Sequence, residues 1–167
     1  AIVAIPASAR TGGLWDVTKE LRVRADMGTP EELAELAADL HRPGTLTLVV
    51  VNRVPRAVKT FEALRDVHSE GKGRKAVLRE DAPDLKLVHS RFRPAERQGW
   101  ADEFLHRDAE PGEHGRIVVA TQVVEAGVDI SAATLVTDLA PWTSLVQRFG
   151  RCARYEGCNG TVVVAGA

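Results

Sequence analysis

Residues 117–139 read IVVATQVVEAGVDISAATLVTDL and hold two apolar, β-branched runs separated by a polar turn with a glycine. The runs, Ile117–Thr121 and Leu135–Leu139, are nearly continuous in apolar character rather than alternating. Such runs are typical of strands that are covered on both faces, as in a parallel sheet. This stretch therefore predicts a sheet with packed layers on both sides.

The pattern recurs along the chain, with helical patterns between the runs. Covered runs lie at Leu46–Val51, Leu85–His89 and Thr161–Val164, and Leu21–Ala25 alternates as an edge strand does. Apolar residues with helical spacing mark four segments: 33–40, 54–64, 100–105 (entered through Pro94) and about 143–153. The first helix begins at a capping box of Thr29, Pro30 and Glu32 and ends before Pro43-Gly44. We predict an α/β, three-layer domain whose mostly parallel central sheet has about six strands, with helices on both faces.

Length and composition set the class of protein. The chain has 167 residues, of which 44% are hydrophobic and 27% charged, which fits one globular domain. We expect residues 1–28 to be an irregular or edge-strand lead-in and residues 29–167 to be the core. The formal net charge of -1 gives no global attraction to nucleic acid, so any such contact must be local.

The two cysteines and the hydropathy pattern indicate the compartment. Cys152 and Cys158 are spaced C-x5-C, which lacks the pairs of a zinc site and is too little for a disulfide framework. No apolar run reaches the roughly 18 residues that a membrane span needs. We therefore expect a cytoplasmic protein without a membrane partner.

The most informative segment is residues 142–154, WTSLVQRFGRCAR. A helix from about Thr143 to Ala153 would place Gln147, Arg151 and Arg154 within roughly 60° of each other. Leu145, Phe149 and Cys152 would fall on the opposite face. Guanidinium groups are fixed charges that suit phosphate oxygens, although most charge runs are merely solvated faces.

The turn after the strand at Ile117–Thr121 is the second candidate site. Ligands of open α/β sheets bind just beyond the carboxyl ends of strands. Polar or glycine residues there are Thr121, Gln122, Glu125, Gly127 and Asp129. Gly127 suits a backbone position that a side chain would obstruct, and Asp129 could accept from a ribose hydroxyl or cap a turn.

Several motifs are absent from the sequence. No G-x-x-x-x-G-K-[ST] occurs, and Gly71-Lys72-Gly73 lies in a polar loop without a preceding strand. No D-E-A-D or D-E-x-H occurs, so the parts that hold Mg²⁺ and the β- and γ-phosphates are missing. No histidine is adjacent to an aspartate, and we predict no metal site in this chain.

Four segments carry a family resemblance. VATQVVEAGVDI (119–130) resembles the fifth helicase motif, and QRFGRCAR (147–154) matches the sixth-motif pattern Q-x-x-G-R-x-x-R. LVVVNRV (48–54) resembles the fourth motif strand, and LVHSRFRPAERQ (87–98) resembles the strand and helix that follow it. Their order resembles the C-terminal, RecA-like lobe of superfamily 2 helicases, most of all that of the CRISPR-associated helicase–nuclease of type I interference systems.

The resemblance implies the second lobe of an ATP-dependent DNA helicase or translocase, with ATP shared with an N-terminal RecA-like lobe that also holds Mg²⁺. Arg151 and Arg154 would be arginine fingers, and Gln147 would contact the phosphate or the attacking water. Glu125, Gly127 and Asp129 would line the nucleotide. The isolated chain would not hydrolyse ATP, and its partners would include single-stranded DNA and a CRISPR surveillance complex.

The resemblance also implies a track for the nucleic-acid backbone, made of Thr121, Gln122, Asn52, Arg53, Ser90 and Arg91. A contact by Arg97 is less expected, because Pro94 stands where many relatives carry a glutamine, and a packing salt bridge is the better interpretation. Two alternatives stay open: the lobe of a DNA-repair or RNA helicase, and a noncatalytic α/β module that binds an acidic protein partner. Arg151 and Arg154 in a groove beside Asp129 would favour a motor, and the same two arginines scattered over a convex face would favour docking.

Overall fold

The computed structural model describes residues 6, 8, 10–71, 76–93, 96 and 99–166. Its strands are β1 Thr18–Arg24, β2 Leu46–Val50, β3 Ser69–Glu70, β4 Val77–Leu78, β5 Asp84–Val88, β6 Arg116–Ala120, β7 Thr134–Asp138 and β8 Asn159–Ala165. Its α-helices are α1 Pro30–Leu40, α2 Val54–Val67, α3 Trp100–Glu103 and α4 Trp142–Phe149, and short 3-10 helices span Gly13–Asp16 and Gln122–Val124.

Six strands form one parallel sheet in the order β1-β8-β7-β2-β6-β5, and β3 pairs with β4 in a separate antiparallel hairpin. Every run that the sequence marks as a strand is a strand of the large sheet, and the alternating run lies in β1 at its edge. The predicted α/β fold with a parallel six-stranded sheet is confirmed.

Apolar side chains project from both faces of this sheet and pack in a separate core on each side. On one face Val49 of β2 and Val119 of β6 pack in a core with residues of α1 and α2, such as Leu33. On the other face Leu48 and Val118 pack in a second core. This core includes Phe104, which follows α3, and Val124, which follows β6. Neighbouring residues of one strand thus point into different cores, which is why the runs are continuous.

The start of α1 is the predicted capping box. The Glu32 backbone N–H donates to Thr29 Oγ1 over 3.2 Å, and the Thr29 backbone N–H donates to Glu32 Oε2 over 2.8 Å. Pro30 occupies the first turn, where its missing N–H costs no helical hydrogen bond.

Two helix predictions are corrected. Among the described residues, the third helix spans Trp100–Glu103 and ends before the predicted Leu105, because the backbone N–H groups of Phe104 and Leu105 both donate to the Trp100 carbonyl. Pro94, its predicted entry, lies outside the described residues. The last helix ends at Phe149 rather than at Ala153.

The early end of α4 has a physical cause. Gly150, a poor helix former, is its C-cap, and Cys152 then forms a parallel bridge with Ala132. The Ala153 N–H donates to the Ala132 carbonyl over 2.9 Å, and Ala153 takes a left-handed φ of 43°. The chain thus leaves the helical path between Phe149 and Arg154.

Trp142, at the other end of α4, is 71% exposed. In the described part of the chain no helix is long and apolar enough to span a membrane.

Candidate nucleotide-facing site

Because α4 ends at Phe149, the predicted stripe of Gln147, Arg151 and Arg154 does not exist as one helix face. Gln147 is an exposed residue of α4, Arg151 is buried, and Arg154 is half-buried beyond the turn at Ala153. The three residues have different surroundings, so they are capable of different chemistry.

Arg151 holds the loop that follows β6 from the inside. Its Nε, Nη1 and Nη2 donate to the carbonyl oxygens of Val124 (3.0 Å), Val128 (2.8 Å) and Glu125 (2.6 Å). Burial, and secondarily the nearby Arg154, lowers the pKa of its guanidinium. The described conformation therefore uses Arg151 as a structural clamp, and a phosphate contact by Arg151 stays a prediction.

Arg154 faces outward beside Asp129. Its Nε lies 3.0 Å from Asp129 Oδ1, and the two side chains are 39% and 55% exposed. Its backbone N–H is fixed by Ser131 Oγ over 2.9 Å. The Tyr155 hydroxyl donates to Asp129 Oδ1 over 3.0 Å, and burial together with this bond raises the pKa of Tyr155. Arg154 is thus a positioned cation whose carboxylate partner is still open to solvent.

The surface next to Arg154 is concave. Gly150 and Arg154 line a cavity of about 550 Å³ together with Lys19, whose Nζ donates to the Phe149 carbonyl over 2.9 Å. Lys19 was not found from the sequence, since only the pairing of β1 with β8 brings it to the end of α4. Two cationic side chains beside one cavity are suited to an anion.

Gly127 has a φ of 76°, and a Cβ built there would meet no atom within 4 Å. The reason for the glycine is therefore its left-handed backbone, and the predicted steric reason is corrected. Gly127 is exposed on the loop between the clamp at Val124 and Asp129.

The carboxylate of Glu125 accepts from Arg148 Nε over 2.8 Å, and its predicted contact with the nucleotide stays a prediction. Arg148 is 2% exposed and was not singled out from the sequence. A signal existed, because Arg148 is three residues after Leu145 and so shares the apolar face of α4. Arg148 thus lies in the interior of the domain, and Glu125 pairs with it from the partly buried margin.

At the carboxyl end of the sheet, Asn52 joins the ends of β2 and β7. Its backbone N–H donates to Asp138 Oδ2 over 2.9 Å, and its amide Nδ2 donates to the Leu139 carbonyl over 2.8 Å. Arg56 Nε pairs with Asp138 Oδ1 at 3.0 Å. These residues and Arg53 line a cavity of about 250 Å³, at which Arg53 is exposed.

The remaining predicted contacts differ in accessibility. Gln122, Ser90 and Arg91 are exposed just beyond β6 and β5, at the same edge as Asn52. Thr121 is 1% exposed, so its hydroxyl is covered in the described arrangement. Arg97 lies outside the described residues.

Comparison with known proteins gives the family. The family model described as CRISPR-associated nuclease/helicase Cas3, C-terminal, matches residues 43–157. A CRISPR-associated nuclease/helicase Cas3 of Methanothermobacter thermautotrophicus is 30% identical over 107 residues, which are 64% of this chain and 11% of that protein. The Cas3 endonuclease/helicase of Escherichia coli K12 is 36% identical over 134 residues, 79% of this chain and 14% of that protein. The chain thus spans about an eighth of the length of these relatives.

Solved structures give the same answer for the fold. A structure of T. fusca Cas3-ADP matches with a TM-score of 0.70 at 23% identity, over 98% of this chain and 19% of that one. The C-terminal domain of the DEAD-box protein Dbp5 matches with a TM-score of 0.62 at 17% identity, over 90% of this chain and 77% of that one. The predicted RecA-like fold and the resemblance to a superfamily 2 C-terminal lobe are confirmed. The chain belongs to the family of Cas3-like C-terminal domains.

Proposed function

We propose that this chain is the second RecA-like lobe of an ATP-dependent motor on single-stranded nucleic acid, and that ATP lies between it and an N-terminal RecA-like lobe. The observation that carries the proposal is the Arg154–Asp129 pair, which stands partly exposed beside a cavity that Lys19 also lines. Of the two arginines, Arg154 meets the condition that favours a motor over a docking module, since it lines this cavity and pairs with Asp129, whereas Arg151 is buried. The Cas3 names of the relatives, and a neighbouring structure titled T. fusca Cas3-AMPPNP, support the same choice.

In the proposed motor, Arg154 leaves Asp129 and turns its guanidinium toward the γ-phosphate, where it stabilises the charge of the transition state. Asp129 then accepts from the ribose, and exposed Gln147 contacts the phosphate or the attacking water. Arg151 holds the loop of Gly127 and Asp129 in place. The partner lobe supplies the phosphate cradle and Mg²⁺, for which this sequence has no motif.

The nucleic-acid track is proposed along the carboxyl edge of the sheet, where Arg53, Arg91, Ser90 and Gln122 are exposed. Single-stranded DNA is its substrate, as the family suggests. A neighbouring structure titled CRISPR RNA-guided surveillance complex, pre-nicking, supports such a complex as a further partner.

The test is hydrolysis by this lobe assembled with its partner lobe. Arg154→Ala is expected to lower nucleic-acid-stimulated hydrolysis by about 10³-fold or more, the usual effect of losing an arginine finger. Arg65→Ala, an exposed arginine of α2 far along the chain from the site, is the matched control. Near-normal turnover by Arg154→Ala, or hydrolysis by the isolated chain, would contradict the proposal.

A further inference from the structure

Arg148 carries a charge into the interior of the domain. It is 2% exposed, and all three of its guanidinium nitrogens donate. Nε reaches Glu125 Oε1 (2.8 Å), Nη1 reaches Thr137 Oγ1 (2.9 Å) and the Asp138 carbonyl (3.3 Å), and Nη2 reaches Asn52 Oδ1 (3.0 Å). A buried cation persists only when it is paired in this way.

The partners of Arg148 come from three separate parts of the chain, one of which is the end of β7 with Thr137 and Asp138. Glu125 belongs to the loop after β6, which Arg151 clamps and which carries Asp129. Asn52 follows β2 at the carboxyl edge, next to exposed Arg53. Arg148 itself lies on α4, the helix that leads to Arg154. The guanidinium is therefore the junction between the nucleotide-facing loop and the nucleic-acid edge.

The stability of the fold does not by itself explain why an arginine occupies this buried position. Replacing a buried ion pair by apolar residues of similar volume is often neutral or even stabilising, because desolvation offsets the attraction of the charges. The fork geometry, however, fixes three segments relative to each other in a way that a lysine or a methionine could not.

We propose that Arg148 is a positioning residue that couples occupancy of the nucleic-acid edge to the loop that faces the nucleotide. A strand bound at the edge shifts Asn52, and Arg148 passes the shift to Glu125 and so to Asp129. This inference rests on the proposed function, since it concerns communication between the two surfaces assigned there.

The experiment compares hydrolysis with and without a saturating oligothymidylate in the assembled two-lobe protein. In Arg148→Lys the ratio of stimulated to basal rate is expected to fall by about fivefold or more, within the range of coupling changes that mutations produce. The basal rate and the oligonucleotide affinity are expected to stay close to the parent values. Arg65→Lys, the same change on an exposed arginine, is expected to leave the ratio unchanged.

Thr137 gives a second, milder variant in case Arg148→Lys does not fold. Thr137→Val removes one acceptor of Arg148 at nearly constant volume, and Thr137→Ser keeps the hydroxyl. A lower ratio in Thr137→Val but not in Thr137→Ser supports the coupling. Unchanged ratios in Arg148→Lys and Thr137→Val, whatever their melting temperatures, would overturn it.

The two proposals fail differently. If the parent protein hydrolyses ATP without any stimulation, or if Arg154→Ala hydrolyses normally, the proposed function fails and the coupling fails with it. If stimulation is normal in the parent, absent in Arg154→Ala and intact in Arg148→Lys, only the role of Arg148 is refuted.

Discussion

Arg154 Nε lies 3.0 Å from Asp129 Oδ1 at the surface, while Arg151, three residues earlier, is buried against backbone carbonyls. Two arginines of one sequence motif thus have opposite surroundings. Arg154 can exchange its partner for a phosphate at little cost, since exposed pairs contribute about 0–1 kcal/mol. If the Arg151 side chain moved toward a phosphate, three backbone carbonyl oxygens would lose its hydrogen bonds.

The first prediction contrasts these two arginines in stability. Arg151→Met is expected to lower the free energy of unfolding by about 3 kcal/mol or more, because hydrogen bonds to a charged group contribute about 1.5–3 kcal/mol each. Arg154→Met, the matched change, is expected to cost less than about 1 kcal/mol. Urea denaturation of the two variants measures the difference. Equal losses would show that Arg151 is not a clamp in solution.

The second prediction concerns the anchor of Arg154. Asp129→Ala removes the carboxylate that pairs with Arg154 and accepts from Tyr155, so kcat/KM for ATP in the two-lobe protein is expected to fall by about tenfold or more. The Tyr155 hydroxyl keeps only the Asp129 backbone carbonyl as an acceptor. Tyr155→Phe keeps the ion pair and removes only the phenol hydroxyl, so a smaller loss is expected. Steady-state hydrolysis gives both values. A parental kcat/KM in Asp129→Ala would remove Asp129 from the site.

The sequence predicted most of the sheet because the central strands are covered on both faces and so have continuous apolar runs, whereas the exposed edge strand β1 alternates. The sequence-based prediction was wrong where hydrogen bonds to a distant segment end a helix that the local spacing of apolar residues would continue. The helical spacing of residues 143–153 is regular, yet the bridge of Cys152 to Ala132 draws the chain out of the helix after Gly150. No local signal marks that bridge, because Ala132 belongs to a different segment. For the same reason Gln147, Arg151 and Arg154 do not share one helix face, and the predicted stripe was wrong.

The candidate site was predicted in part for a related reason. Glycine and carboxylate positions such as Gly127 and Asp129 follow from the rule that strand ends carry sites. The partners of Glu125 and Arg148 do not, because a charged residue on a helix is normally placed on its solvent side. Only the position of Arg148 one turn after Leu145 indicated that it faces inward.

The third prediction concerns thiol reactivity. Burial raises the pKa of the Cys152 thiol to about 11, so only about one molecule in a thousand carries the thiolate at pH 8. A Cβ on Gly160 would lie 2.6 Å from Cys152 Sγ, which shows how closely this sulfur is packed. Iodoacetamide at pH 8 is expected to label Cys158, which is partly exposed, and to spare Cys152 until urea unfolds the chain. The extent of labelling at each cysteine is measured by mass spectrometry of peptides. Rapid modification of Cys152 in the folded chain would contradict its burial.

The fourth prediction concerns acid stability. Burial, more than any charge, lowers the pKa of both His68 and His89. Their ring atoms His68 Nε2 and His89 Nδ1 are buried without a hydrogen-bond partner among the described residues, so the folded chain favours neutral rings. The unfolded chain binds protons near the ordinary histidine pKa of about 6.5, and the folded chain binds them only at lower pH.

The unfolded state therefore holds more protons below about pH 6.5, and the free energy of unfolding must decrease as the pH falls through that value. The decrease continues until the folded-state pKa values are passed. The double variant His68→Gln, His89→Gln is expected to have a flatter profile between about pH 7 and 5.5, with His106→Gln, a residue less buried than either, as the control. Urea denaturation at a series of pH values measures the slopes. Parallel profiles for the parent and the double variant would show that these two histidines bind protons equally in the folded and unfolded chains, which would contradict the lowered pKa values.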